Sequence, residues 1–355
     1  MRFRTLVINP GSTSTKIAVY DDESAAMLLS LTHSLDELAG FERAIDQLEF
    51  RLALVLRELE HQHIPLQFDA VIGRGGMIRP VSGGVYEVND RMLDDLLHSQ
   101  RDHVCNLGAP LAYRIAAGIE GCHAYIADPV VVDELAPVAR ITGSPLMPRL
   151  SIWHALNQRA VAMRFAAECG TRYEDLNLIV CHMGGGITVA AHDHGHAVDV
   201  NNGLDGEGPL SPERAGTLPA ADLIRLCYSG RYTETQLLRR IAGQAGLAAH
   251  LGTTDVREIT TRIELGDEKA QCVLDAMIYQ TAKQIAAQSA VLYGQIDAVL
   301  ITGGIAYSNY VIDHLRPRIE HLAPVYVYPG EDEMRSLNSN ALRVLRGQCK
   351  AKVYE

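Results

Sequence analysis

The chain has 355 residues, 47% of them hydrophobic and 21% charged, which is enough for two globular domains with well-developed cores. Its formal net charge of −11, without any Lys/Arg-rich run, argues against a nucleic acid partner. The seven scattered cysteines form no C-x-x-C pair, which indicates reduced thiols in a cytoplasmic protein. A strand within the first few residues predicts no signal peptide, and no apolar run approaches the roughly 20 residues of a membrane span.

The first predicted element is a β-hairpin over residues 4–22, whose two apolar runs enclose a small, hydroxyl-rich turn. Gly11 predicts a positive φ that turns the backbone and exposes N–H groups. Ser12, Ser14 and Lys16 add short donors and a cation, so the turn suits an anion with several oxygens. An ordinary hairpin turn favours the same residue types and is the alternative for this segment alone.

The same design recurs twice later in the chain. Residues 178–194 again read as strand, glycine-rich turn and strand, with His182 at the position that Asn9 has in the first copy. Residues 297–305 form a buried strand that ends in glycines. The glycines of these turns are Gly184, Gly185, Gly303 and Gly304. Repetition in both halves predicts two similar domains that face each other over a nucleotide.

Two strands between the hairpins end in charged residues. A strand over residues 68–72 leads to Arg74, which stands between glycines, and a strand over residues 124–127 stops at Asp128. Open α/β sheets bind ligands at the carboxyl ends of their strands, so both side chains are candidate site residues. A solvated loop arginine is the alternative for Arg74.

Helices are predicted from caps and from apolar spacing. Ser34 and Glu37 form a capping box that opens a helix reaching residue 59. Ser151 is predicted to cap a helix over residues 152–169, which places His154 in the first turn. The positive end of a helix favours an anion there, and a packed surface histidine is the alternative.

A polar loop over residues 199–219 surrounds Glu207 and Arg214 with glycines and prolines. A loop of this length without its own secondary structure is more often functional than idle. Just before it, three alternating histidines at 192, 194 and 196 are typical of an exposed hairpin turn, with a metal site as the weaker alternative. Short helices over 220–262, a long helix over 267–292 and a last helix ending at Arg346 complete the chain.

The order of motifs resembles the acetate kinase, or acetokinase, family, within the superfamily that also holds actin, sugar kinases and heat-shock ATPases. The chain is shorter than typical acetate kinases, and it has GRGG and PRLSIWH where those enzymes have a histidine-rich and an aromatic–glycine version. Both departures favour the butyrate or branched-chain side of the family. The motifs that carry the resemblance are INPGSTSTK (8–16), VIGRGG (71–76), ADPVVVDEL (127–135), PRLSIWHALNQRA (148–160), CHMGGGITVA (181–190), EGPLSPERAG (207–216), LITGGIAYS (300–308) and PGEDEM (329–334).

The resemblance implies an α/β fold with two ribonuclease-H-like (actin-like ATPase) domains and an interdomain cleft. The first domain would span residues 1–130 with a returning helix at 333–355, and the second, nucleotide-binding domain would span 131–332. The family further implies a homodimer or a larger homo-oligomer. It also implies the reaction, in which ATP and Mg²⁺ convert a short fatty acid carboxylate to an acyl phosphate and ADP by reversible, in-line phosphoryl transfer.

Site roles follow from the same motifs. The catalytic residues implied are Arg74, which would hold the acyl substrate, and Asp128, His154 and Arg214. The nucleotide would be bound by Asn9, Ser12, Ser14, Lys16, His182, Gly184, Gly185, Gly303 and Gly304. The metal would be linked to Asn9 and Glu333, with Glu331 as the alternative to Glu333.

Elementary chemistry fits these roles. A fatty acid carboxylate has a pKa close to the roughly 4 of a side-chain carboxyl, so it is ionised at neutral pH and needs no general base. The obstacle is the meeting of two anions, which arginines, a histidine, magnesium and N–H groups relieve. Asp128 is therefore interpreted as orienting the metal or its waters. The alternatives are an acetate or propionate kinase, a sugar or polyol kinase whose aspartate is a true base, and a non-enzymatic actin-like ATPase.

Overall fold

The computed structural model describes residues 2–355, which form two compact units. The first unit comprises the chain up to Val132 together with Asp332–Glu355, and the second comprises Asp133–Glu331. Each unit contains one mixed sheet flanked by helices.

The first unit is built on a six-stranded sheet in the order β3-β2-β1-β4-β6-β5. Its strands are β1 (Arg4–Pro10), β2 (Ser14–Asp21), β3 (Ser24–Thr32), β4 (Ala70–Arg74), β5 (Val85–Glu87) and β6 (His123–Ala127). Its helices are α1 (Leu35–Leu38), α2 (Leu48–His61), α3 (Asp90–Leu97), α4 (Gly108–Ala116) and, from the end of the chain, α12 (Glu333–Leu345). Strands β1, β4 and β6 are parallel, so their carboxyl ends meet at one edge of the sheet.

Helix α12 packs against β1 within this unit, where the hydroxyl of Thr5 donates to Oδ1 of Asn338 at 2.5 Å. Both side chains are buried, so this bond pairs the hydroxyl of Thr5 with the amide oxygen of Asn338 away from water. The start of α12 lies beside the carboxyl end of β1, where Asn9 contacts Glu333.

The second unit repeats the arrangement in a five-stranded sheet of order β11-β10-β7-β8-β9. Its strands are β7 (Asn177–Met183), β8 (Ile187–Asp193), β9 (His196–Val200), β10 (Ala298–Gly303) and β11 (Val325–Pro329). Its helices are α5 (Ala155–Glu168), α6 (Ala220–Cys227), α7 (Glu234–Ile241), α8 (Gly246–Leu251), α9 (Val256–Glu264), α10 (Glu268–Val291) and α11 (Asn309–Leu315). In both sheets an antiparallel three-strand meander is followed by a parallel strand that pairs with its first strand.

Both faces of the second sheet are covered. Ile179 and Val189 belong to the cluster that also holds Leu274 of α10, whereas Leu178 packs on the other face with Phe165 of α5. Successive residues of a strand point to opposite faces, so a strand buried on both sides is apolar throughout. The long helix predicted over 267–292 is confirmed, with the carboxylate of its N-cap, Asp267, accepting from the N–H of Ala270.

The first half of the chain differs from the sequence prediction in two respects. The capping box of Ser34 and Glu37 is present but opens only the single turn α1. The helix predicted to continue from it is broken, because residues 39–43 are non-helical and α2 begins at Leu48. Strand β3 pairs with β2 although no strand was predicted there. Apolar spacing alone does not distinguish one helix from two separated by a turn.

The alternating histidines divide between a turn and the core. His194 and Gly195 form the predicted hairpin turn, with φ values of 47° and 87°. His192 is instead fully buried, where Nδ1 accepts from the hydroxyl of Tyr173 at 2.5 Å. Burial, with a smaller contribution from the positive charge of Arg159, lowers the pKa of His192 to about 3.

This buried histidine predicts a pH dependence of stability. An unfolded histidine has a pKa of about 6.5, so between pH 6.5 and about 3 the proton binds the unfolded chain alone. Protonation of His192 in the unfolded chain therefore lowers the free energy of unfolding as the pH falls below 6.5, and it has little effect at higher pH. At pH 5 the free energy of unfolding should be about 2 kcal/mol lower from this residue than at pH 7.

Urea unfolding followed by the fluorescence of Trp153 measures this effect. Trp153 is the single tryptophan, and its ring centroid lies 5.8 Å from that of His192. His192→Gln should lose about 2 kcal/mol less than the wild type between pH 7 and pH 5. An equal loss in both proteins would contradict the prediction.

None of the helices within residues 2–355 combines the length and the apolar character that a membrane-spanning segment requires.

Candidate functional site

The hydroxyl-rich turn joins β1 to β2 and is closed by the N–H of Gly11, which donates to the carbonyl of Ser14 at 2.7 Å. The predicted positive φ at Gly11 is wrong, because Gly11 is not among the residues with positive φ. A Cβ there would instead lie 3.3 Å from Oγ of Ser14, so the glycine relieves crowding within the turn. Ser12 and Lys16 are exposed and therefore accessible to a ligand.

A buried arginine from α2 holds this turn from behind, and sequence reasoning missed it. The side chain of Arg51 is fully buried. Its guanidinium donates to the main-chain oxygens of Gly11 (2.8 Å), Ser12 (3.2 Å) and Ser14 (2.9 Å). Burial lowers the pKa of Arg51 to about 10, so the group stays charged at neutral pH. Its charge and its donors fix the turn and add positive potential behind it.

Three predicted site residues of the first unit are in direct contact. Nδ2 of Asn9 donates to Oε2 of Glu333 at 2.5 Å. The guanidinium of Arg74 lies 2.8 Å from Oε1 and 3.1 Å from Oε2 of the same carboxylate. Arg74 and Glu333 are partly exposed, so the pair is open to solvent and to ligands. The carboxylate of Glu333, at the start of α12, thus contacts one side chain from the end of β1 and one from the end of β4.

The glycines around Arg74 are required by close packing. A Cβ at Gly73 would collide with the main chain of Gly108, and one at Gly75 would lie 2.6 Å from the ring of Pro129. These approaches press the strand end against its neighbours and leave only the arginine side chain to project from it. The motif therefore sets the position of one guanidinium.

Asp128 follows β6 directly and is held in an unusual conformation. Its φ is 39°, in the left-handed region that costs a non-glycine residue of order 1 kcal/mol or more. Its N–H donates to the carbonyl of Gly84 at 3.0 Å, and its carboxylate accepts from the N–H of Gly84 at 2.7 Å. The side chain is 2% exposed. The two hydrogen bonds hold the strained carboxylate in a fixed orientation at the same sheet edge as Arg74.

In the second unit, His154 lies at the start of α5, but the predicted cap is wrong. The helix begins at Ala155 with His154 itself at the N-cap and without a side-chain capping bond, so Ser151 precedes the helix. The Nδ1 atom of His154 is instead 2.9 Å from the hydroxyl of Thr188 on β8. The predicted end of the helix at residue 169 is confirmed, since Cys169 is its C-cap and Gly170 adopts a φ of 68° just after it.

The ring of His154 is stacked on that of His182, with centroids 3.9 Å apart and an interplanar angle of 19°. His182 is the second-last residue of β7 and is almost fully buried. Its Nδ1 lies 2.9 Å from Oδ1 of Asn157, and its Nε2 lies 3.0 Å from Oε1 of Glu331. The two glutamates predicted as alternative metal ligands therefore have different partners. Glu331 pairs with His182, whereas Glu333 pairs with Asn9.

The glycine turns of the second unit meet at one cavity of about 830 Å³. Gly184 and Gly185 line it from the β7–β8 turn, and Gly304 lines it from the end of β10. Gly303 lies beneath, with a φ of 93°, where a Cβ would collide with the main chain of Met183. Other lining residues are Glu213, Asp255, Ile305, Tyr307 and Glu331. The volume is in the range of small-molecule sites.

Arg214 lies against the glycine turn. A Cβ at Gly186 would collide with its guanidinium, and Nη1 donates to the carbonyl of Gly203 at 2.5 Å. Burial lowers the pKa of Arg214 below its usual value and Glu213 partly opposes that change, but an arginine remains charged in proteins. Glu207, by contrast, accepts from Arg149 at 3.2 Å and has a structural role in the loop.

Comparisons with known proteins give a consistent result. The model of the acetokinase family matches residues 151–328. A protein of Bacteroides thetaiotaomicron described as a probable butyrate kinase is 59% identical over 352 residues, which cover 99% of this chain and 100% of that protein. The chain belongs to the acetokinase family. A second family relative, a probable butyrate kinase of Phocaeicola vulgatus, is 52% identical over 99% of each chain.

The fold of this acetokinase family member is that of solved acetate kinases. The crystal structure of Porphyromonas gingivalis acetate kinase superposes with a TM-score of 0.79 at 18% identity, covering 96% of this chain and 99% of that one. The prediction of an actin-like ATPase fold is confirmed.

Within each unit the structure brings predicted site residues of this acetokinase family member together. In the first unit these are Asn9, Arg74 and Glu333, with Asp128 at the same sheet edge. In the second unit His154 stacks on His182. Sequence reasoning missed three buried polar side chains that belong to no recognisable pattern. Arg51 binds the main chain of the hydroxyl-rich turn, Thr188 contacts His154, and Gln158 contacts Thr188.

Proposed function

We propose that the protein phosphorylates the carboxylate of a short fatty acid, butyrate or a branched-chain acid, with ATP to give an acyl phosphate and ADP. The observation that carries this proposal is the end-to-end similarity, at 59% and 52% identity, to two proteins described as probable butyrate kinases. Acetate and propionate kinases are neighbouring members of the same family.

Arg74 is the proposed contact for the acid. Its guanidinium already pairs with the carboxylate of Glu333 at 2.8 Å, so its surroundings accommodate an arginine–carboxylate pair. Arginine presents N–H donors in a fork that matches a carboxylate. A bound fatty acid would share or replace Glu333 as the partner, and the pair in the free protein keeps the guanidinium positioned for it.

The oxygen-bearing side chains of the first unit are suited to bind Mg²⁺ together with the phosphates of a nucleotide. The structure of residues 2–355 contains no cluster of three or more His, Cys, Asp or Glu side chains that could hold a metal by itself. Mg²⁺ usually takes only one or two protein carboxylates and completes its shell with phosphates and waters. Asn9 and Glu333 supply adjoining oxygen-bearing side chains for this purpose, and Asp128 would orient bound water. The metal, when bound, would neutralise charge on the phosphates.

The second unit supplies the proposed nucleotide site and two groups for transfer. The cavity of about 830 Å³ would hold the adenosine, with the glycine turns at its floor beside the phosphates. Arg214, held against Gly186, would meet the negative charge that develops on the transferred phosphoryl group. His154 would donate to the same group. Because the acid is already ionised, none of these residues has to remove a proton.

Hydroxylamine trapping tests the proposal. The purified protein with ATP, Mg²⁺ and butyrate should yield an acyl hydroxamate, since hydroxylamine captures acyl phosphates. A panel of two- to six-carbon straight and branched acids, compared by kcat/KM, should peak at butyrate or a branched acid. A peak at acetate or propionate would assign the protein to those activities, and phosphorylation of sugars without hydroxamate would overturn the proposal.

The proposed reaction belongs in the cytoplasm, where ATP is available and where the seven free cysteines of the structure would stay reduced. A homodimer or a larger homo-oligomer is the assembly proposed with it. Light scattering of the purified protein measures that assembly.

Arg51 gives a prediction for ATP binding. Arg51→Met removes three hydrogen bonds to the carbonyls of the hydroxyl-rich turn, so KM for ATP should rise by about 10-fold or more. KM for the acid should change less, because Arg74 keeps its own contacts. Arg57→Met, an exposed position on the same helix, is the matched control. An unchanged KM for ATP in folded Arg51→Met protein would show that the turn does not need this arginine.

A further inference from the structure

A continuous chain of buried polar side chains leads away from His154. Nδ1 of His154 lies 2.9 Å from Oγ1 of Thr188, which lies 2.8 Å from Nε2 of Gln158. Oε1 of Gln158 lies 3.2 Å from Nε2 of His192, whose Nδ1 lies 2.5 Å from the hydroxyl of Tyr173. Thr188, Gln158 and His192 are fully buried and Tyr173 is 3% exposed. A row of four buried side chains therefore ends on the histidine that is proposed to meet the phosphoryl group.

Helical and strand geometry explain why these residues meet. His154 and Gln158 are four residues apart at the start of α5, so both side chains lie on one face of the helix. Thr188 and His192 are four residues apart on β8, where alternate residues share a face. One helix face and one strand face thus pair residue by residue.

The direction of each hydrogen bond is fixed by groups that can act in only one way. Nε2 of Gln158 lies 3.1 Å from the main-chain carbonyl of Thr188, and a carbonyl only accepts. Nε2 is therefore the amide nitrogen, which donates to this carbonyl and to the hydroxyl of Thr188. The amide oxygen then faces His192, and an amide oxygen also only accepts. The orientation of the Gln158 amide therefore sets the donor–acceptor direction of the whole hydrogen-bond network.

The orientation of the Gln158 amide fixes the hydrogen-bond directions at both ends of the network. His192 must carry its proton on Nε2 to donate to Gln158, so its Nδ1 accepts from the hydroxyl of Tyr173. Burial keeps His192 neutral at working pH, since its pKa is lowered to about 3. At the other end, Thr188 already accepts from Gln158, and its own hydroxyl hydrogen is directed to Nδ1 of His154.

We propose that Thr188 and Gln158 are positioning residues that hold His154 as the neutral tautomer with its proton on Nε2. This inference rests on the proposed function for its catalytic meaning. The ring nitrogen not bound to Thr188 then presents an N–H donor to a phosphoryl oxygen, without rearrangement at the moment of transfer. Stacking on His182 at 3.9 Å fixes the plane of the ring and so the direction of that donor.

The tautomer can be measured without reference to activity. Two-bond ¹H–¹⁵N correlation spectra of protein with ¹⁵N-labelled histidine, at a pH where His154 is neutral, distinguish protonated from bare ring nitrogens. His154→Gln identifies the signals. The wild type should show Nδ1 bare and Nε2 protonated. Thr188→Val should give a mixture of both tautomers, and Thr188→Ser should restore the wild-type pattern.

A second variant reverses the chain instead of breaking it. Gln158→Glu replaces the donor at Thr188 by an acceptor of the same shape, so the hydroxyl of Thr188 should donate to the new carboxylate. Its lone pairs would then face His154, which should carry its proton on Nδ1. A wild-type tautomer in both folded Thr188→Val and Gln158→Glu proteins would overturn the inference, and either variant suffices if the other does not fold.

Kinetics provide the second readout. Thr188→Val should lower kcat by about 10- to 100-fold, as for other residues that orient an active group, with smaller changes in KM for ATP and for butyrate. Thr281→Val is the matched control, because that buried threonine on α10 donates only to the carbonyl of Met277 one turn earlier. Its tautomer pattern and kcat should equal those of the wild type.

The two hypotheses fail separately. If the wild type forms no acyl phosphate yet the tautomer responds to Thr188 and Gln158, then the proposed function is wrong and the positioning network stands. If the wild type is active but Thr188→Val keeps both kcat and the wild-type tautomer, then the network has no positioning role.

Discussion

Replacing Arg214 by alanine is expected to lower kcat by about 100- to 1,000-fold, which is the cost of removing one donor aimed at developing charge. KM for ATP should stay nearly unchanged, because an interaction made only in the transition state does not contribute to ground-state binding. The structural basis is the contact of the buried guanidinium with the glycine turn at Gly186 and the carbonyl of Gly203. Steady-state hydroxamate assays with varied ATP and varied butyrate measure both constants.

Arg225→Ala is the matched control, since this exposed arginine of α6 pairs only with Asp222 one turn earlier. It should leave kcat unchanged. Arg214→Lys should recover only part of the activity, because an ammonium lacks the planar fork that reaches two partners. Near-wild-type turnover in Arg214→Ala would falsify the role of Arg214 in transfer.

Replacing Arg74 by leucine is expected to raise KM for the acid by about 30-fold or more, while KM for ATP changes far less. Loss of one partner from a hydrogen-bonded charge pair costs about 2 kcal/mol or more, which corresponds to that factor. The side chain ends β4 and already pairs with a carboxylate, that of Glu333, at 2.8 Å. Initial rates over a grid of acid and ATP concentrations separate the two constants.

Arg79→Leu provides the control, because Arg79 belongs to the same unit and pairs with Asp95 at an exposed position. It should leave both KM values unchanged. Equal increases of the two KM values in Arg74→Leu would show that Arg74 acts on the site as a whole and not as the clamp for the acid. Thermal unfolding of each variant excludes loss of the fold as the cause.

Much of the fold follows from local pattern. Apolar runs bounded by glycine and proline correctly predicted β1, β2, β7, β8 and β10. The carboxyl ends of parallel strands share an edge, so a sequence that places Arg74 and Asp128 just after two such strands already brings them together. The glycine-rich turns likewise marked the lining of the cavity in the second unit.

The same patterns misplaced features whose outcome depends on distant partners. Gly11 was predicted to adopt a positive φ, but the turn is closed with ordinary dihedral angles because Arg51 binds its carbonyls from another element. Ser151 was predicted to cap α5, but the helix starts later, with His154 at the N-cap and hydrogen-bonded to Thr188. A local signal cannot include a hydrogen bond to a residue some 35 positions away.

The family, the two repeated sheets and the charged residues at strand ends could all be predicted before the structure was known, because each depends on residue spacing along a single element. Which of these charged side chains contact one another, and which residues support them, depends on packing between elements that are distant in the chain. Arg51 occupies a helix position like any other charged one, and nothing adjacent in the chain marks it as buried. Burial of a cation or of a glutamine amide is tolerated only when partners from other elements satisfy every donor, and those partners are chosen by packing in three dimensions.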